Sequence, residues 1–190
     1  MAIEDRRARE RAARRQLIVS TARSLAEAEG WDAVTTRRLS QEIEYSQPVL
    51  YKHFQGMDQI AEAVAIDGFG ELADEIGSAR AAGGDARDVL SRIAQRYLDF
   101  ARVHPAVYDA MFTRATSLSF AADDTPSALT SAFAALHDAV ADVANDRDAD
   151  DLTEVLWAAL HGLVALGRTG RLRPGRDRER IAVLVDQMCP

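Results

Sequence analysis

At 190 residues, with 47% hydrophobic and 28% charged side chains, the chain is long enough to bury a sizeable core and too apolar for a disordered segment. Net charge is −7, and the single cysteine, Cys189, excludes an internal disulfide and has no partner for a thiolate metal site. Few aromatics and much alanine favour helices over sheets, so the expected class is all-α.

The start, M-A-I-E-D-R-R, has charge but no apolar core of a secretory signal, and the weakly polar run 155–167 is too short to span a bilayer. The expectation is a cytoplasmic protein with no membrane partner. Charge is unevenly shared. Residues 1–54 carry ten Lys and Arg against eight Asp and Glu, and the remainder carries 13 against 22, so a polyanionic partner would meet the front of the chain. The arginines between Arg6 and Arg15 read equally well as a solvated helix start.

In chain order, Ile18, Ala22, Leu25 and Ala26 recur at helical spacing, and Gly30 ends that helix. Thr35 caps a short helix over Thr36 to Glu42. A tight turn at Ile43-Glu44-Tyr45 leads to Ser46, a second cap, and Pro48 falls in the first turn of the next helix, where its missing N–H costs nothing. A longer helix is expected from Asp58 to about Ser78, a loop at 81–84, and a helix capped by Asp85 with Leu90, Ile93, Tyr97, Phe100, Ala101 and His104 on one face. His104-Pro105 marks a break before a short helix over Ala106 to Arg114. After a polar stretch at Ala121 to Asp124, Thr125-Pro126 opens a helix lined by Leu129, Phe133, Leu136, Val140 and Val143. Asp151 and Glu154 have capping-box spacing for a helix over 152–167, which is apolar nearly all round, and Ile181, Leu184, Val185 and Met188 form a stripe on the last helix.

Two short helices with a tight link, the second starting at Ser46, have the layout of a helix-turn-helix, whose second helix enters the major groove. Ser46, Gln47, Pro48 and Val49 lie at its leading end. Gln47 suits adenine and Val49 a thymine methyl. Thr35, Thr36, Arg37, Tyr51, Lys52 and His53 suit phosphates, which fix register without reading sequence. Lys52 is the chain's one lysine.

The residues I-V-S-T-A-R-S-L-A-E-A-E-G-W, T-T-R-R-L-S-Q-E-I and Y-S-Q-P-V-L-Y-K-H-F resemble the tetracycline-repressor (TetR) family over residues 10–65. A shorter likeness, through H-P-A-V-Y-D-A-M-F and the W-x-x-x-H-G spacing of Trp157, His161 and Gly162, points to one of the family's ligand-domain types. The resemblance implies a homodimer that binds a pseudo-palindromic operator in double-stranded DNA and releases it when a small molecule enters the body. It also implies a three-helix DNA-binding domain over 1–56 and a larger helical ligand-binding and dimerisation domain over 57–190. The chain departs from the family pattern at Glu44, where a glycine is usual, at Met57, where a lysine is common, and at Pro48, where a small residue is usual.

For an apolar or amphipathic effector the candidates are Phe100, His104, Met111, Phe112, Phe133, His137, Trp157 and His161, polar groups set among apolar walls. For the homodimer they are Trp157, Leu160, Val164, Ile181, Leu184 and Met188, in a four-helix arrangement. No two of His104, His137 and His161 are three or four residues apart, so no metal and no cofactor is expected. No catalytic motif stands out, so no enzyme is expected. The competing reading is a small-molecule carrier whose front no longer binds DNA, and inducer, operator and sign of regulation stay open.

Overall fold

The computed structural model describes residues 2–115, 118 and 125–189, and among them no strand occurs. The polar stretch Ala121 to Asp124 lies outside the described residues. The elements are α1 (Ala2–Glu29), a 3₁₀ turn (Trp31–Ala33), α2 (Thr36–Glu42), α3 (Gln47–Tyr51), α4 (Met57–Ala81), α5 (Ala86–Val103), α6 (Pro105–Asp109), a π turn (Ala110–Arg114), α7 (Ser127–Ala144), α8 (Ala149–Arg168) and α9 (Asp177–Met188). They gather into two compact units, residues 1–68 with 104–119, and residues 69–103 with 120–190, so the division falls inside α4.

In the first unit, α1 presents Ile18, Val19, Ala22, Leu25 and Ala26 to the core, all buried. It stops at Gly30, whose φ of 83° is open to glycine at no steric cost. Segment 104–115 returns to this unit. Glu27 Oε2 and Oε1 accept from the amides of Ala106 and Val107, each at 3.1 Å, and Trp31 Nε1 donates to the Ala106 carbonyl at 2.8 Å. A helix N-terminus leaves its first amides without intrahelical partners, and the Glu27 carboxylate supplies two from a distant part of the chain. The expected single helix over 106–114 is instead α6 followed by the π turn, closed by Ala115 N to Ala110 O at 2.9 Å.

In the second unit, α5 packs on α7, α8 and α9, and α7 packs on α8. The α5 face is buried as its spacing predicts, through Leu90, Ile93, Tyr97, Phe100 and Ala101. Asp85 caps α5, accepting from Asp88 N at 2.8 Å. The cap of α8 differs from expectation. It is Asp148, whose Oδ1 accepts from the amides of Asp150 and Asp151 at 2.9 and 3.1 Å. Asp151 therefore sits inside the first turn, where its charge complements the helix dipole, and the capping box with Glu154 does not form.

Gly68 marks the tightest approach in the first unit. A Cβ there would meet Val107 Cγ1 at 2.4 Å and Met111 Sδ at 2.9 Å. Val107 is buried and stiff about χ1, so it cannot yield as a long side chain would. Gly68→Ala is expected to lower unfolding free energy by about 1–3 kcal/mol in urea denaturation, through overpacking. Adding Val107→Ala should make the pair less costly than the sum of the two single changes; strict additivity would contradict the contact.

Candidate nucleic-acid interface and apolar cavity

The short helices are built locally. Thr35 Oγ1 accepts from Arg38 N at 3.1 Å, which fixes the start of α2. Arg38 bonds Glu42 at 2.8 Å and Glu29 at 3.1 Å, tying α2 to the end of α1, and these carboxylates raise its pKa, Glu42 foremost. Arg37, beside it, is exposed. One arginine is thus committed to structure and its neighbour faces solvent.

The turn to α3 carries Glu44 at φ 55°, with Tyr45 N donating to Ser40 O at 3.0 Å. This is the left-handed conformation that the tight turn demands, adopted by a non-glycine at about 1 kcal/mol. Ser46 occupies the cap position of α3, but its side chain makes no capping bond; its carbonyl instead accepts from Val49 N at 2.9 Å. Pro48 lies in the first turn, as its missing N–H requires.

Leu50 and Phe54 are buried at 1% and 2% exposure and hold α3 down. The remaining side chains face outward. Ser46, Gln47, Pro48 and Lys52 are exposed, Val49 and His53 are half-buried, and Tyr51 is 51% exposed rather than packed against the first helix. Thr35 is also exposed and Thr36 half-buried. His53 is pushed below its ordinary pKa, first by desolvation and then by the charges of Arg11, Arg14, Arg15 and Lys52. Sequence reasoning omitted those arginines from the site, although their clustering was visible.

The second unit contains a cavity of about 20 Å³ lined by Phe69, Leu72, Ile76, Tyr97, Leu129, Ala132, Phe133, Leu136 and Trp157. Trp157 Nε1 donates to the Tyr97 hydroxyl at 3.2 Å, and the Phe133 and Trp157 rings meet edge to face at 6.4 Å. Of the expected effector residues, Phe133 and Trp157 line this cavity. Phe100, His137 and His161 belong to the same unit but not to the lining. His137 Nε2 lies 3.3 Å from Asp150 Oδ1, and desolvation lowers the pKa of His161.

His104, Met111 and Phe112 belong to the first unit. There His104 Nδ1 is 3.4 Å from Arg23, Met111 is buried, and the Phe112 and Tyr108 rings meet at a 45° tilt with centroids 4.6 Å apart. The α4 wall of the cavity, Phe69, Leu72 and Ile76, was missed because periodicity shows that a face is apolar without showing what it covers.

The residues expected at the dimer face differ in their exposure within the single chain. Leu160, Val164, Ile181 and Met188 are 0, 7, 4 and 4% exposed within the single chain. They pack into the chain's own core. Trp157 and Leu184 are half-buried. The large apolar residues left outward on α8 and α9 are Val155, Leu166 and Val183, at 57, 42 and 62% exposure. A groove between these helices is lined by apolar Ala159, Leu163, Val183 and Leu184 and by polar Arg173, Arg176, Glu179, Arg180 and Gln187.

Residues 18–64 match the family model for bacterial regulatory proteins of the tetR family, and residues 90–188 match the tetracyclin repressor-like C-terminal domain. An uncharacterized HTH-type transcriptional regulator of Mycobacterium tuberculosis is 29% identical over 162 residues, covering 82% of this chain and 71% of that one. A solved protein of unknown function from Rhodococcus sp. RHA1 aligns with TM-score 0.77 and 23% identity over 92% of each chain. A TetR variant from Acinetobacter baumannii, solved in complex with minocycline, aligns with TM-score 0.64 and 15% identity over 90% of this chain and 93% of that one. At these identities the solved structures show the fold.

The two lowered histidine pKa values set a pH dependence of stability. Both groups lie below the ordinary 6.5, so the unfolded chain takes up protons first as pH falls. Their contribution is fully present above about 6.5 and is lost as pH drops below it. The melting temperature is expected to fall between pH 7 and pH 5, and His161→Gln should flatten part of that fall. An identical pH profile for the variant would remove His161 from the account.

Proposed function

The chain belongs to the TetR family of bacterial transcriptional regulators, DNA-binding homodimers that respond to small molecules, and on that premise we propose that residues 1–56 read an operator while 57–190 carry the effector cavity and the dimer face. The family and its relatives are regulators rather than enzymes, and repression is typical of them. The observation that carries the residue-level reading is α3 and the residues that follow it: Leu50 and Phe54 are buried, while Gln47, Pro48, Tyr51 and Lys52 stand exposed. In the major groove Gln47 and Val49 meet base edges, and Thr35, Thr36, Arg37, Ser46, Tyr51, Lys52 and His53 meet the backbone. No helix among the described residues is long and apolar enough to cross a membrane.

The effector is apolar or amphipathic, because the cavity wall is aliphatic and aromatic with the Tyr97 hydroxyl at its edge. At about 20 Å³ the cavity has room for about one water, so an effector has to part the Phe133 and Trp157 rings. The W-x-x-x-H-G spacing marks the α8 stretch that carries this wall. The second copy of the chain covers the outward α8–α9 groove through Val155, Leu163, Leu166, Val183 and Leu184, on the principle that an isologous interface buries the same patch twice.

Two experiments test these assignments. On duplexes selected from a random library, Gln47→Ala is expected to relax preference at one base position by about 1–3 kcal/mol. Lys52→Ala should instead weaken all duplexes alike and reduce the salt slope by about one unit per contact. Unaltered base preference in Gln47→Ala would remove α3 as the reading helix. Release of the same complex by an apolar compound, abolished in Trp157→Ala, tests the cavity.

For the interface, Val183→Asp with Leu163→Asp is expected to yield folded monomers in sedimentation analysis. Leu160→Asp, buried in the chain's own core, should unfold it. A dimer that survives the double change would exclude the α8–α9 groove.

A further inference from the structure

α1 extends well beyond the stripe it buries. That stripe begins at Ile18, and every described residue from Ile3 to Leu17 is exposed, roughly 22 Å of helix at 1.5 Å per residue. Positions 7, 11, 14 and 18 fall on one helical face. The face that is apolar from Ile18 onward is therefore continued upstream by Arg7, Arg11 and Arg14, with Arg15 at its edge.

Arg15 shows where this face leads. Its guanidinium lies 4.1 Å from the centre of the Phe54 ring, and it donates to the His53 carbonyl at 3.2 Å. Arg11, Arg14 and Arg15 act electrostatically on His53 together with Lys52. The arginine face and the end of α3 thus form one basic surface. On the flanks, Arg6 pairs with Glu10 at 3.4 Å and Arg9 donates to the Asp5 carbonyl at 3.3 Å. Arg7, Arg11 and Arg14 make no ion pair among the described residues.

We propose that Arg7, Arg11 and Arg14 form a second DNA contact, an arm of α1 that follows the phosphate backbone beside the groove entered by α3. The assignment rests on the reading of α3 given above and adds affinity without sequence information. It also answers an electrostatic difficulty. Residues 55–190 carry 22 acidic against 13 basic side chains, so the body repels a duplex and the attraction has to be concentrated at the front. A membrane surface fits less well, since residues 3–16 offer Ile3 as their one large apolar side chain and the face away from Arg7, Arg11 and Arg14 holds Asp5, Arg9, Gln16 and alanines.

The test compares three full-length proteins: wild type, R7A/R11A/R14A and R6A/R9A. Binding is followed by anisotropy on a library-selected duplex and on a scrambled duplex of equal length, between 50 and 200 mM salt. The arginine-face triple should bind both duplexes about tenfold or more weakly at low salt, with a slope shallower by about 0.9 per lost contact. R6A/R9A should match wild type. Alanine is the best helix former, and circular dichroism checks that the arm stays helical.

An unchanged slope in the triple variant overturns the proposal, as does an equal loss in R6A/R9A or a loss confined to the selected duplex. Arginine-dependent binding to phosphatidylserine vesicles with unaltered DNA binding would assign the arm to a lipid surface instead. A wild-type protein that binds no duplex overturns the reading of α3 itself, a result distinct from failure of the arm alone.

Discussion

The first unit depends on one buried stripe. Ile18, Val19, Ala22, Leu25 and Ala26 on α1 are buried; the 3₁₀ turn, α2 and α6 pack on α1, and α3 packs in turn on α2. α3 has five residues, far below the length at which an isolated helix persists in water. Its orientation comes from burying Leu50 and Phe54, side chains worth about 1.5–3 kcal/mol each. The exposed positions between them are held in place by residues that never meet a ligand. A packing change beneath α3 would therefore disturb the proposed DNA reading without touching an exposed side chain.

Local chemistry decided what could be read from the chain. The cap at Thr35, the stop at Gly30 and the proline in the first turn of α3 all follow from a few adjacent residues, and all are present; the positive φ at Glu44 was decided only by the structure. The features that escaped depend on distant partners. Asp148 displaced Asp151 as the cap of α8 because its carboxylate reaches two amides, a choice among three nearby aspartates that spacing does not make. Segment 110–114 closes with a π turn, which nothing in its composition announces.

The same limit governs α8. With Leu152, Val155, Leu156, Leu160, Leu163 and Val164 distributed round the helix, the sequence shows that it is covered on more than one side. It does not show which side belongs to the chain and which to a partner. Thr153, Leu156, Leu160 and Val164 turned inward, and the outward residues are Val155 and Leu166. Likewise the cavity draws a wall from α4, an element whose apolar positions could not be matched to α5, α7 and α8 from periodicity.

Glu27 and Trp31 constrain how any signal can pass along the chain. Together they satisfy two amides and a carbonyl at the start of α6, and leaving a buried polar group unpaired costs about 1–3 kcal/mol each. Gly68 lets Val107 and Met111 approach α4 closely enough that sliding either element past the other would meet their side chains. Segment 104–115 is consequently bound to α1 more firmly than its short helix would suggest. It follows α5 directly in sequence, and α5 carries Tyr97 at the cavity wall. Chain connectivity therefore joins the cavity to the first unit by two covalent routes, one along α4 and one through α5 into α6. The second ends on a seat whose hydrogen bonds resist partial displacement. A rearrangement that reached α6 would have to carry α1 with it or break those bonds, a discrete choice of the kind that two-state coupling requires.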